Sequence, residues 1–437
     1  MKEIREIISL LLLKVSKKSA TEIAWVALGQ TINLFLSFII IKFISKIGPE
    51  QYGIYTLILT IAALLGLFYG SFLQGFLRYY YHYENLNQRS HFVLLMYRFL
   101  KITILIFIII TIITSTLSPF QDEFYSSLFL LVSGLFIIIS KVSEFFNSVL
   151  NLIRKRKENS LLQALEKILM IIVVIILLSK NNLELFSILL AFGCISLFLV
   201  FIKIYTFRKY APIKITETNQ TDIQKKMIRT VLIYISPFLI WAIAGWLQMN
   251  GEKWIINAIL SVKEVGIYAI MIAIVNALVV IPNNIINEYA APIVFKQFAD
   301  IDNKENVNTG YSYIKISTLL ILIITLIATL LTFLWGDKII TLVSSKNYST
   351  YWEVLPLLAL GTGLFYTGQT QTLLGLGLSK PQKYIAPKLI IGIGSVGLNL
   401  LFISYFGFLG IAYTILVIGV IYVFYISLVN KRLLKIN

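Results

Sequence analysis

Twelve times along the chain an apolar run about 20 residues long, enough for a helix to cross about 30 Å of hydrocarbon, is followed by a polar break. Nothing in hydrocarbon can hydrogen-bond an exposed N–H or C=O, so a spanning segment must be a helix or part of a closed barrel. These runs are continuous rather than alternating, which selects helices. Their approximate limits are 22–45, 54–77, 94–117, 125–150, 160–179, 184–206, 229–251, 264–288, 312–334, 352–373, 384–405 and 408–429. The sequence therefore predicts an all-α polytopic membrane protein with twelve transmembrane helices. A mean hydropathy of +0.84 and 14% charged residues, against about 25% in soluble domains, exclude a soluble fold.

The runs are arranged as two copies of one unit. GPEQYGIYTL at 48–57 and SVKEVGIYAI at 261–270 each stand between two apolar runs, and Gly53-Ile54-Tyr55 matches Gly266-Ile267-Tyr268 at an offset of 213 residues (266 − 53). Six runs precede the polar stretch RKYAPIKITETNQTDIQKK and six follow it. An even number of spans per copy gives both copies the same orientation, a parallel repeat. The expected organisation is an amphipathic cytoplasmic segment at 1–20 with Lys14, Lys17 and Lys18 at the headgroups, an N-lobe at 21–207, a cytoplasmic linker at 208–226 and a C-lobe at 227–437. Far more Lys and Arg fall in the even-numbered loops and at the amino terminus than in the odd-numbered loops, which predicts cytoplasmic termini in an inner or plasma membrane. Arg154, Lys155, Arg156 and Lys157 form the densest basic turn, suited to anionic lipid headgroups.

The net charge of +17 follows this topology rather than a stripe, so no nucleic-acid partner is expected. A single cysteine, Cys194, rules out an intrachain disulfide framework, and His82 and His91 lack partners at ligand spacing, so neither a metal nor a cofactor is expected. The odd-numbered loops are too short to fold into a catalytic domain, so a membrane glycosyltransferase or polymerase is disfavoured and no enzyme is expected.

Charges and amides inside the apolar runs mark the candidate site, because an intramembrane charge costs about 2.5–3.5 kcal/mol on insertion scales and belongs in a protein interior or a wet cavity. Ser71, Gln74 and Arg78 fall on one face of the second span; Glu22, Gln30, Asn33 and Ser37 share a face of the first. In the second half Trp241, Gln248 and Glu252 share one face of the seventh span, and Asn276, Asn283 and Asn287 one face of the eighth. The candidates for substrate contact are thus Arg78, Gln74, Asn33, Gln30, Gln248, Trp241, Asn276, Asn283 and Asn287, although Ser, Asn and Gln also serve interhelical hydrogen bonds. Counting outward from the turn at Arg154 brings Lys141 and Glu144 to the depth of Glu166 and Lys167, with the expected pairs Lys141–Glu166 and Glu144–Lys167. Glu22, Glu144, Glu166 and Glu252 are candidates for a coupling proton. Pro237 and Pro282 interrupt the seventh and eighth spans and are candidate hinges.

KIGPEQYGIYTLILTIAALLGLFYGSFLQGFLRYY resembles the amino-terminal signature of the polysaccharide flippases of the multidrug/oligosaccharidyl-lipid/polysaccharide exporter superfamily, in which a G-P-E-x-Y-G turn follows the first span and an arginine, here Arg78, ends the second. GEKWIINAILSVKEVGIYAI is similar to the equivalent turn of that family's second half. NLLFISYFGFLGIAYTILV resembles its last hairpin, where Gly407 and Gly410 stand but Ile411 and Tyr413 replace small residues. The resemblance implies a MATE-like architecture of two six-helix lobes forming a V around a cavity open alternately to each side. It also implies translocation of undecaprenyl-pyrophosphate-linked oligosaccharide to the outer leaflet for surface polysaccharides such as O-antigen and lipopolysaccharide, with membrane lipids and other polysaccharide assembly proteins as partners. A drug or cation exporter of the same superfamily is the alternative; its cavity needs carboxylates rather than Arg78.

If 208–226 only tethers the halves, cutting between Lys214 and Gln224 leaves two fragments that copurify and retain activity. Proteolysis at an engineered site followed by affinity capture of one half checks this, and loss of activity with both halves inserted counts against a passive tether.

Overall fold

A computed structural model describes residues 17–117, 126–212, 220–298, 304–378 and 380–436, and among these residues the regular structure is helical, with no strand. The helices are α1 (Lys17–Ile44), α2 (Pro49–Asn85), α3 (Arg89–Thr116), α4 (Ser127–Leu152), α5 (Arg156–Ser179), α6 (Leu185–Tyr210), α7 (Gln220–Ile259), α8 (Val262–Val275), α9 (Ile281–Gln297), α10 (Lys304–Val343), α11 (Leu355–Gln371), the one-turn α12 (Leu373–Gly377), α13 (Ile385–Phe406) and α14 (Leu409–Ile436). Among the described residues, each apolar run falls mainly on helical backbone. Nine helices among the described residues are long and apolar enough to cross a membrane, counting α8 to α9 as one. Most of the amphipathic segment expected at 1–20 and the centre of the linker lie outside the described residues.

Local chemistry explains where the helices begin and end. The side chains of Ser126 and Ser261 accept from the N–H groups of Phe129 (3.3 Å) and Lys263 (3.2 Å), satisfying donors that a helix start leaves free. Asn87, Arg154 and Asn181 take left-handed backbone (φ 58, 59 and 54°) and close three hairpins. After each, the next N–H bonds back to the finishing helix, Gln88 to Tyr83 at 2.8 Å, Lys155 to Leu150 at 2.9 Å and Asn182 to Leu177 at 3.0 Å. Between α8 and α9 the backbone widens into a π turn at Asn276–Val280, directly before Pro282. Proline lacks an N–H and crowds the preceding turn, and a π turn is one way a helix absorbs that defect.

The helices pack into two units. The first comprises Met1–Ile44 and Ile61–Ile240, the second Ser45–Thr60 and Trp241–Asn437, so α2 and α7 each contribute to both. In the first, α1 packs along α5, and α4 against α3 and α6, around an aromatic core in which Phe72 stacks on Phe99 (3.6 Å between centroids) and Phe76 on Phe92 (5.2 Å). In the second, α11 packs between α10 and α14, with α13 on α14.

One buried polar cluster of the second unit is matched by neutral partners. The Tyr384 hydroxyl donates to Asn430 Oδ1 (2.5 Å) and accepts from the Gly375 N–H (2.9 Å), while the Asn430 amide donates to the Gln371 carbonyl (2.9 Å). Removing that hydroxyl orphans two buried partners, each worth about 1–3 kcal/mol. Tyr384→Phe is therefore expected to lower the thermal stability of the detergent-solubilised protein by several degrees, read by the midpoint of unfolding, whereas Tyr405→Phe, at an exposed position, leaves it unchanged.

Candidate functional site

The first unit holds an open polar groove between α2 and α4. Gly66, Tyr69, Gly70 and Leu73 on one side and Lys141, Glu144, Phe145 and Ser148 on the other line a pocket of about 60 Å³. Gln74 and Arg78 are both exposed and stand one and two turns beyond Gly70 on the same face of α2. Farther along, the Tyr81 hydroxyl donates to the Leu152 carbonyl at 2.6 Å and pins α2 to the end of α4. Lys141 and Glu144 form an ion pair at 2.6 Å, the lysine side chain 18% exposed and the glutamate 67%.

Deeper in the bundle lies a second charge network with different partners from those expected. Lys203 of α6, wholly buried, donates to Glu166 Oε2 at 2.9 Å and to Ser143 Oγ at 2.6 Å, and Ser196 donates to Glu166 Oε1 at 2.7 Å. Lys167 turns the other way and donates to the Asn33 carbonyl (2.8 Å) and to the Ser37 hydroxyl of α1. The cross-pairing of Lys141 with Glu166 and Glu144 with Lys167 is not formed. Lys141 and Glu144 are three residues apart on one helix and reach each other directly. Glu166 and Lys167 are consecutive and so point about 100° apart around α5, at 3.6 residues per turn; only Glu166 faces α4 and α6. The sequence reading missed Lys203, Ser143 and Ser196. A lysine inside the sixth apolar run was the available signal, since such a charge needs a partner within the protein.

The second unit treats its polar candidates differently. Asn283 is buried; its Oδ1 accepts from Thr370 of α11 (3.0 Å), so it joins two helices, and from the amide of Asn287 (3.2 Å) one turn along the same helix. Asn276 is exposed at the start of the π turn, and Gln248 is half-buried. Glu252 accepts from the Tyr268 hydroxyl of α8, and neighbouring Lys253 reaches Asn250 Oδ1 at 3.4 Å. The side chains of Glu22, Gln30, Pro237 and Trp241 lie outside the described residues. Among the described residues no group of three His, Cys, Asp or Glu side chains is placed to hold a metal ion.

This fold is shared with known membrane transporters. The chain superposes on a structure described as the lipid II flippase MurJ in an inward closed conformation with a TM-score of 0.72 at 16% identity, over 94% of this chain and 88% of that one. A multidrug resistance MATE family transporter of the MOP superfamily matches in its inward-facing conformation with a TM-score of 0.69 at 13% identity, over 92% and 96% of the two chains. An outward-facing conformation of a MATE family transporter matches at 0.56 and 13%, over 92% and 94%. The chain shares its fold with these transporters. No protein-family model matches the chain, and no curated protein matches it by sequence.

Breaking a buried ion pair leaves an uncompensated charge, at a cost of about 3–5 kcal/mol, whereas neutralising both members costs far less. Glu166→Gln and Lys203→Met should each lower the unfolding midpoint markedly, and the double variant should recover most of the loss. A double-mutant cycle on the purified protein reads the coupling, and additive losses would mean the two side chains act independently.

Proposed function

We propose that the chain is a twelve-span flippase with both termini cytoplasmic, and that it moves an undecaprenyl-pyrophosphate-linked oligosaccharide from the inner to the outer leaflet of a cell membrane during surface polysaccharide assembly. It acts as a transporter rather than an enzyme, and needs no cofactor. The observation behind this reading is the groove of the first unit, where exposed Arg78 and Gln74 continue the face of α2 that lines the pocket with Lys141. A diphosphate needs guanidinium, ammonium or N–H donors. A glycan is met by amides and aromatic surfaces, and a polyprenyl tail can stay in the bilayer. The fold likeness to a protein described as a lipid II flippase is consistent with a lipid-linked cargo.

A second reading, export of a cationic drug, is favoured by one feature of the same groove. Glu144 is 67% exposed on its side chain, and a carboxylate there would attract a cation. The two readings predict opposite residue dependence.

Flipping of a fluorescent undecaprenyl-diphosphate oligosaccharide in proteoliposomes separates them. Arg78→Ala should insert and fold normally yet flip at least about tenfold more slowly, as the loss of one charge-assisted contact of about 1.5–3 kcal/mol implies. Wild-type flipping by that variant would remove Arg78 from the mechanism. Absence of flipping by the parent, together with cation export abolished by Glu144→Gln, would select the exporter.

A further inference from the structure

The two ion pairs inside the spans of the first unit are built differently. In the buried pair both partners are held. Lys203 has no exposed side-chain surface and donates to Ser143 as well as to Glu166, and both oxygens of Glu166 are engaged, Oε2 by Lys203 and Oε1 by Ser196. In the groove only the cation is held. Lys141 leaves α4 and lies against α2 at Gly66, where an added Cβ would stand 3.4 Å from both its Cδ and its Nζ. Its side chain is 18% exposed, whereas that of Glu144 is 67% exposed. Among the described residues Lys141 is the one group that bonds the Glu144 carboxylate, through Oε2 at 2.6 Å. Both residues line the pocket with Gly70 and Ser148, and the space beside Gly70 is open.

An enclosed lysine on a membrane span needs a nearby anion whether or not a ligand is present. Glu144 supplies it in the empty groove. It engages one of the three donors of the ammonium and leaves the others for a ligand with more acceptors. A diphosphate carries more charge than a carboxylate and offers several oxygens, so it is the stronger partner for that ammonium. The carboxylate it replaces is already on the open side of the groove, where water receives it. Because Glu144 is tethered three residues from Lys141 on the same helix, it stays at a high local concentration and competes for the lysine continuously.

We infer that Glu144 is an exchangeable counter-ion: it occupies Lys141 while the groove is empty, gives way to the diphosphate of the cargo, and displaces that diphosphate again on release. The inference rests on the flippase reading and deepens it, since the carboxylate of the groove then opposes the ligand instead of binding it. A cation exporter requires the reverse.

The test titrates full-length protein in detergent with geranyl diphosphate, a soluble prenyl diphosphate, and reads binding by calorimetry. Glu144→Gln should bind about tenfold tighter than the parent or more, because a tethered competitor has been removed. Lys141→Met should bind more weakly than the parent, and adding Glu144→Gln to it should restore nothing, there being no ammonium left to uncover. Glu158→Gln removes a carboxylate that stands 3.8 Å from Lys155 in the turn after α4, and should change binding by less than about twofold, as expected of an exposed pair. Glu144→Asp, which keeps the charge on a shorter arm, should fall between parent and Glu144→Gln, and it decides the matter if the glutamine variant does not fold. Unchanged or weaker binding by these Glu144 variants, or an equal gain in the Lys141→Met background, overturns the counter-ion while a parent that binds the probe leaves the flippase reading standing. Absence of binding by both the parent and Glu144→Gln overturns the two together.

Discussion

A charge placed in hydrocarbon must find its counter-charge inside the protein, and the arrangement of the first unit follows from that requirement. Lys203 is wholly buried and Glu166 partly so, and the pair is completed by hydroxyls from Ser143 and Ser196. Three helices, α4, α5 and α6, meet at one carboxylate. The desolvation of such a pair is offset only when every remaining donor and acceptor is matched, so the network fixes the rotation of each of these helices about its own axis. Once α5 is fixed with Glu166 toward α4 and α6, Lys167 is turned toward α1, where the Asn33 carbonyl and Ser37 receive it. The exposed Lys141–Glu144 pair and the groove beside α2 are what this arrangement leaves on the other side of α4.

Much of the architecture was legible in the sequence because hydrocarbon imposes one rule on every residue of a span. Length and apolarity located the helices, and the repeated Gly-Ile-Tyr pointed to the two segments that meet at Gly53 and Gly266. Side-chain partners were legible only in part. Counting along a hairpin gives depth but not azimuth, which is why Lys141, Glu144, Glu166 and Lys167 were placed at one level yet paired wrongly. Asn283 shows the same limit: it lies on the stripe with Asn276 and Asn287, but Thr370 of α11 arrives from 87 positions away in sequence and occupies it. No periodicity within one helix reports what a distant helix brings.

The boundary between units was not legible for a related reason. A span reads as one object in a hydropathy profile, whereas α2 and α7 each change their surroundings part-way along, at Thr60–Ile61 and at Ile240–Trp241. The residues on either side of these points are equally apolar. What distinguishes them is small size and aromatic reach: Gly53, Thr56 and Thr60 on one helix, Trp246 and Trp254 on another.

Among the described residues the two units hold their polar side chains mainly by different chemistry. The first uses ionised pairs at Glu166–Lys203 and Lys141–Glu144. The second relies mostly on neutral bonds, with Thr370 on Asn283, Tyr384 on Asn430, Tyr422 on Gln369 at 3.0 Å and Ser427 on Gln371 at 2.9 Å, beside the one bond of Tyr268 to the Glu252 carboxylate. A neutral network holds helices together with little long-range field, whereas lysines and arginines at low dielectric project theirs over many ångströms. A charge beside Arg78 and Lys141 of the first unit is therefore acted on more strongly than one beside Asn283 of the second.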